Sequence, residues 1–261
     1  MKKEIEINKI YNEDCLKTMK RMPADFVDMT LTSPPYDNLR DYKGYSFDFE
    51  NIAKELFRIT KQGGVVVWVV GDATKNGSES GTCFKQALYF KEIGFNLHDT
   101  MIWQRRTTPQ NSGRYEPAFE YMFIFSKGTP KTFNPIRYER IYKDKRKEKK
   151  YHRGKNEETR FKFNKIQEIE MVVMPNIWNI PNRDNKEGIN EHPAIFPEKL
   201  AEMQIKSWSN EGDLIYDPMI GSGTTGKMAL MLKRKYIGSE ISPEYCKIAE
   251  DRIKSISNPL F

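Results

Sequence analysis

Cysteine is scarce in this chain: 261 residues contain three, Cys15, Cys83 and Cys246, widely spaced and with no Cys-x-x-Cys. An odd, scattered set of this kind argues against both a disulfide framework and a zinc site. Histidine is as sparse, and His98, His152 and His192 share no ligand spacing, so no metal site is expected. Long apolar runs are missing too. The longest covers residues 65–70, far short of the roughly 20 residues a membrane helix needs. The opening Met1-Lys2-Lys3-Glu4-Ile5-Glu6 has no apolar stretch of the signal-peptide kind, so a cytoplasmic protein with no membrane partner is the expectation.

Positive charge, by contrast, is present and concentrated. Residues 137–165 hold thirteen Lys/Arg against five Asp/Glu, a local +8, so against the chain's net +7 the remainder carries −1. Arg137, Lys145, Arg146, Lys147, Lys149 and Lys150 belong to this run, and Tyr138, Tyr142, Tyr151, Phe161 and Phe163 interleave with it. Cations interleaved with aromatics suit a polyanion that carries stackable bases. The plainer alternative is a solvated surface loop.

Apolar spacing divides the chain into helices and strands. Residues 27–32 read as a buried strand that runs into Ser33-Pro34-Pro35, where proline ends ladder pairing. Ile52, Leu56 and Ile59 recur at helical spacing, with Gly63-Gly64 closing that helix ahead of a strand at 65–70. A helix around Phe84, Ala87 and Leu88 follows, then strands near 100–104 and 121–125. The alternation predicts an α/β fold with a parallel, covered sheet. Regularity fades from about Gly128 to Pro175 and returns with a helix at 197–208, a strand at 214–216, a helix through 228–232 and a strand at 236–238. The expected organisation is therefore 1–128 and 176–261 as halves of one domain, with 129–175 as a basic insertion.

Gly221-Ser222-Gly223-Thr224-Thr225-Gly226 matches Gly-x-Gly-x-x-Gly between a strand and a helix, and Glu240 stands nineteen positions after Gly221. Glycines there allow a tight turn and close approach to a ligand, while a carboxylate at the next strand end can accept from ribose hydroxyls. A dinucleotide and S-adenosylmethionine fit that pattern equally well. A P-loop does not, because Met228 stands where a Ser or Thr hydroxyl must bind magnesium.

Two segments in order narrow the choice. Thr32-Ser33-Pro34-Pro35-Tyr36 resembles the catalytic tetrapeptide of DNA amino-methyltransferases, and Asp217-Pro218-Met219-Ile220-Gly221-Ser222-Gly223-Thr224-Thr225 resembles their S-adenosylmethionine loop, with Met219 in place of the usual aromatic. Catalytic segment before cofactor loop is the order of the beta class. The resemblance implies a permuted Rossmann-like α/β domain whose insertion, near 128–175, recognises the target. It implies double-stranded DNA as partner, with a cognate restriction endonuclease as a second candidate and the assembly left open between monomer and homodimer. By the same resemblance, Asp14 and the Cys15 backbone read the adenine edge of the cofactor, Ile241 packs on the adenine, and Glu240 takes the ribose. His192-Pro193 and Asp217 line the methionine end.

An exocyclic amine is a poor nucleophile because its lone pair is delocalised into the ring. Two rigid acceptors can hold its hydrogens and favour a tetrahedral nitrogen; the resemblance gives that role to the Ser33 hydroxyl and the Pro34 carbonyl of Ser33-Pro34-Pro35, fixed by proline's locked φ. By the same resemblance Tyr36 stacks on a base extruded from the duplex. Methylation of cytosine carbon 5 is disfavoured because no cysteine here follows a proline, and zinc deamination because His-x-Glu and Pro-Cys-x-x-Cys are missing. In family terms Ser-Pro-Pro-Tyr goes mostly with cytosine N4, while adenine N6 stays open. A nucleotide-binding oxidoreductase and a DNA-binding module without activity are the rival readings.

Overall fold

The computed structural model describes residues 4–35, 47–105, 113–140, 170–181 and 197–257. Contacts divide the chain into two units, Met1–Asn134 with Asn176–Phe261, and Pro135–Pro175.

In the larger unit the elements run β1 (Lys9–Asn12), α1 (Cys15–Met19), β2 (Val27–Thr32), α2 (Phe49–Ile59), β3 (Thr60–Val70), a short hairpin of β4 (Thr74–Lys75) and β5 (Ser78–Glu79), α3 (Thr82–Glu92), β6 (Asn96–Gln104) and β7 (Phe119–Ser126). The smaller unit contributes β8 (Arg137–Arg140) and β9 (Glu170–Val173), paired antiparallel. Back in the larger unit come β10 (Ile177–Asn179), α4 (Glu198–Trp208), β11 (Leu214–Asp217), α5 (Thr224–Met231), β12 (Lys235–Glu240) and α6 (Pro243–Ser257).

Among the described residues eight strands form one sheet in the order β1-β12-β11-β2-β3-β7-β6-β10. Side chains alternate across it. Val66, Trp68 and Val70 of β3 join Met19, Leu56 and Phe90 from α1, α2 and α3 in one core, where the Trp68 indole N–H donates to Gln86 Oε1 at 2.9 Å. The opposite face is buried beneath α4, α5 and α6. With both faces covered, β3 can be apolar at every position from 65 to 70, which explains its uninterrupted run.

Three expectations need correction. The sheet is not wholly parallel, because β7 pairs antiparallel with both β3 and β6. A parallel crossover is usually helical, and the sequence between β6 and β7 has no helical apolar spacing. Gly63 and Gly64 do not close α2, which ends at Ile59, with Thr60 already extended. They lie inside β3, where Gly63 has φ +80° and its N–H donates to the Lys127 carbonyl at 2.7 Å. A Cβ there would meet Lys131 Cγ at 2.4 Å, so the glycine serves a close chain approach rather than a helix end. The helix expected around Phe84, Ala87 and Leu88 is α3, whose inward residues are Cys83, Gln86, Ala87 and Phe90. Finally, residues 129–134 belong to the larger unit: the Asn134 N–H donates to the Ser207 carbonyl at 2.8 Å, and the separate unit starts at Pro135.

Candidate active site

Four neighbouring strands, β1, β12, β11 and β2, are parallel and so end on one edge of the sheet. Asn12 lies opposite Glu240 and Asp217 opposite Gly238, while Thr30 lies opposite Tyr216. The segments after these strands are Glu13-Asp14-Cys15, Ile241, Pro218-Met219 and Ser33-Pro34-Pro35. The chain leaves β11 toward β12 on one side and β2 toward β3 on the other. Their boundary is thus a switch point, where an open α/β sheet leaves a crevice at the carboxyl ends of its strands. The Ser33-Pro34 segment and the glycine loop, about 180 residues apart in sequence, meet there.

The loop after β11 is tied down at several atoms. The Gly221 N–H donates to Glu240 Oε2 at 3.0 Å, and Ser242 N–H to Glu240 Oε1 at 2.8 Å. Gly223 has φ +86°, and a Cβ there would meet Ala249 Cβ at 2.8 Å and Ala249 Cα at 2.9 Å. The space a side chain needs at Gly223 is therefore filled by α6, so packing as well as ligand approach demands this glycine. At Gly226 a Cβ would meet Ile253 Cδ1 at 2.8 Å. Ser222, Thr224 and Thr225 are buried, and Met219 packs against the core cluster on the α1–α3 face.

Asp217 is 4 % exposed. Its Oδ1 accepts the Met219 N–H at 3.0 Å and its Oδ2 the Thr225 hydroxyl at 2.7 Å. Burial pushes its carboxyl up to about 6, with the bonds from Thr225 and Met219 pulling the other way. Burial also raises Glu240, against the backbone N–H groups that stabilise its charge. The Thr225 hydroxyl lies 3.4 Å from the Leu31 carbonyl, two residues before Ser33, which links the glycine loop to β2. Ser33 is half-buried and Pro34 buried.

Asp14 caps α1, its Oδ1 accepting the Leu16 N–H at 2.7 Å. Each carboxylate oxygen offers a second lone pair, so this cap is compatible with a further hydrogen bond. Burial pushes the Cys15 thiol up to about 12 and the Cys246 thiol up to about 11. Neither supplies a thiolate at neutral pH, so neither is suited to act as a nucleophile. All three cysteines are buried, and none is in a disulfide. Among the described residues no cluster of His, Cys, Asp and Glu could hold a metal ion, and no helix is long and apolar enough to cross a membrane.

Tyr36, His192, Lys145, Arg146, Lys147, Lys149 and Lys150 lie outside the described residues. Arg137 is described: it is exposed on β8, its Nη1 donating to the Met171 carbonyl at 3.2 Å. Sequence reasoning gave no role to Asn12, whose Nδ2 donates to the Glu240 carbonyl at 2.9 Å and the Ile241 carbonyl at 3.0 Å, fastening β1 to the end of β12. It also missed Arg252 on α6, which bonds the glycine loop and Glu198. The place of Asn12 two residues before Asp14 was the one signal available for the first; the second left none.

Comparison with known proteins agrees with this fold. A family model described as DNA methylase matches residues 27–251. The orphan methyltransferase M.BamHII of Bacillus amyloliquefaciens is 56 % identical over 238 residues, covering 88 % of this chain and 89 % of that one. The type II methyltransferase M.BglII of Bacillus subtilis is 28 % identical, covering 93 % and 68 %. Among solved structures, the cytosine-N4-specific PvuII DNA methyltransferase superposes with a TM-score of 0.70 at 23 % identity, covering 95 % and 87 %. TTHA0409 of Thermus thermophilus, solved in complex with S-adenosyl-L-methionine, does so at 0.64 and 22 %, covering 97 % and 96 %. These two share the fold. A family model over most of the chain and a relative identical at more than half of the aligned positions lead to one conclusion: the chain belongs to the N6/N4 DNA methylase family and is a DNA methyltransferase.

Proposed function

We propose that this enzyme methylates the N4 amino group of cytosine in double-stranded DNA, with S-adenosylmethionine as donor. The observation that carries the reading is the meeting of two segments at the switch point: Thr225 of the glycine loop bonds Asp217 and reaches the Leu31 carbonyl of the strand that leads into Ser33. The cofactor supplies an electrophilic methyl group on a sulfonium. The residues present fit it. Asp217 offers a buried carboxylate to a cationic ammonium, and Glu240 keeps lone pairs for ribose hydroxyls beside its two backbone donors. Met219 and Ile241 offer apolar surface, and Asp14 with the Cys15 backbone an acceptor–donor pair for an adenine edge.

On the substrate side, Ser33 and the Pro34 carbonyl hold the amino hydrogens of the extruded base, and Tyr36 stacks on it. Holding the amine in line with the methyl lowers the barrier by positioning, without covalent catalysis. The Arg137–Lys165 run supplies phosphate contacts and recognition. The similarity to an orphan methyltransferase supports action without a dedicated endonuclease. The deciding experiment is mass spectrometry of nucleosides from DNA methylated by the purified enzyme. N4-methylcytosine is expected; N6-methyladenine alone would transfer the same mechanism to adenine, and no modified base would overturn the reading.

A further inference from the structure

Arg252 lies on α6, outside every motif in the chain, yet it meets the glycine loop from behind. Its Nη1 donates to the Ser222 carbonyl at 2.8 Å, to Ser222 Oγ at 2.9 Å and to Thr224 Oγ1 at 3.3 Å. Its Nη2 donates to Glu198 Oε1 at 2.8 Å, and the same oxygen receives Lys227 Nζ, from α5, at 2.6 Å. Glu198 is the first residue of α4. The Arg252 and Lys227 side chains are only 11 % and 12 % exposed. Charges held this far from water interact more strongly than a surface pair.

The loop's other ties fall on either side of Ser222, through Asp217, Gly221, Gly223 and Thr225. Gly223 stands at the N-terminus of α5 without any side-chain cap, in a left-handed conformation, and its N–H turns back to the Ile220 carbonyl at 2.9 Å. Glu240 fixes the Gly221 N–H on one side of Ser222. Arg252 fixes the Ser222 carbonyl and hydroxyl between those two points. A planar guanidinium can serve the loop and Glu198 at once; a single ammonium cannot reproduce that fork.

We infer that Arg252 is a positioning residue for the cofactor, holding the backbone around Gly223 in its binding geometry and tying it through Glu198 to the start of α4. The inference rests on the assignment of this loop to S-adenosylmethionine. Titration calorimetry with S-adenosylmethionine on the parent, R252K and R252M, alongside thermal unfolding and steady-state kinetics, tests it. R252M should weaken cofactor binding about ten- to a hundredfold, the range for a lost charged hydrogen-bond set, and R252K about three- to tenfold. KM for the cofactor should rise in parallel, while kcat at saturating cofactor and KM for DNA stay within about twofold of the parent, because binding rather than the transition state is affected. If both variants lose thermal stability yet bind the cofactor as the parent does, Arg252 is only a structural strut and the inference is overturned. Should R252M fail to fold, the R252K dissociation constant decides, an unchanged value again overturning it. A parent that does not bind S-adenosylmethionine overturns the loop assignment itself, and this inference with it.

Discussion

Asp217→Asn should separate stability from cofactor binding. In the folded protein the Asp217 carboxyl is raised from 3.8 to about 6. A raised carboxyl means that the native state binds the proton more tightly than the unfolded chain, so its ionisation costs stability as pH rises from about 4 to about 6. A rise of that size corresponds to a cost of about 3 kcal/mol once the group is fully ionised. Roughly half of it develops between pH ~5 and ~7.5.

An asparagine carries no such cost and can keep the local bonds. Its Oδ1 can accept the Met219 N–H, and its Nδ2 can donate to Thr225 Oγ1, freeing that hydroxyl's hydrogen for the Leu31 carbonyl now 3.4 Å away. The gap in Tm between Asp217→Asn and parent should therefore widen in the variant's favour by about 3–6 °C between pH ~5 and ~7.5. Cofactor binding should go the other way. In the parent, affinity for the cationic donor should increase with pH through about 6, as the carboxylate forms. In the variant it should be weaker by about tenfold or more and lose that pH dependence. Scanning calorimetry and titration calorimetry across the pH range read both. A Tm gap that does not widen would refute the burial argument, and a variant that binds S-adenosylmethionine like the parent would refute the placement of the site.

Ser33→Ala removes one of the two amino-hydrogen acceptors and should slow transfer by ~10²-fold or more; single-turnover methylation with titration calorimetry would show whether cofactor binding stays intact, as it must. Replacing Lys145, Arg146, Lys147, Lys149 and Lys150 with Gln should weaken DNA binding and flatten its salt dependence by about one unit of slope per lost phosphate contact; an unchanged slope in a fluorescence titration would return that run to the status of a solvated loop. Gly223→Ala places a Cβ 2.8 Å from Ala249 at a φ of +86°, and should lower Tm by about 3–10 °C. Gly212→Ala, at φ +87° with nothing within 4 Å, bears only the conformational part, so an equal loss in both would mean that α6 does not press on the loop.

How much of this was legible in the sequence follows from the range of the interactions involved. Local signals worked. The spacing of Ile52, Leu56 and Ile59 identified α2, and β2, β11 and β12 fell within a residue or two of their apolar runs. The glycine loop and the Ser33-Pro34 segment could be located because each needs particular residue types at fixed offsets. Strand direction was harder. β3 and β7 both carry long apolar runs, and the direction of β7 depends on the connection from β6, whose sequence shows no helical apolar spacing. Gly63-Gly64 misled because a glycine pair after a helix looks like a stop, whereas here residues 127–131 crowd the backbone of the following strand.

The site shows the same boundary more sharply. Asp217, Glu240 and Ser33 sit at strand ends, so their convergence follows once the strand order is known, and the order of the two segments in the chain was enough to suggest it. Arg252 and Glu198 converge only because α6 and α4 both pack beside α5, bringing together residues 54 positions apart that belong to no motif. A helix of mixed charge such as Glu244-to-Lys254 gives no reason to single out one arginine among its cations. The glycine at position 223 illustrates the coupling: its missing side chain lets Ala249 approach, that approach sets the position of α6, and α6 in turn delivers the Arg252 guanidinium three residues later to Ser222 and Thr224. A residue type chosen for one contact thus determines which distant side chain can reach the loop, and such dependence can be seen only after folding has put the partners together.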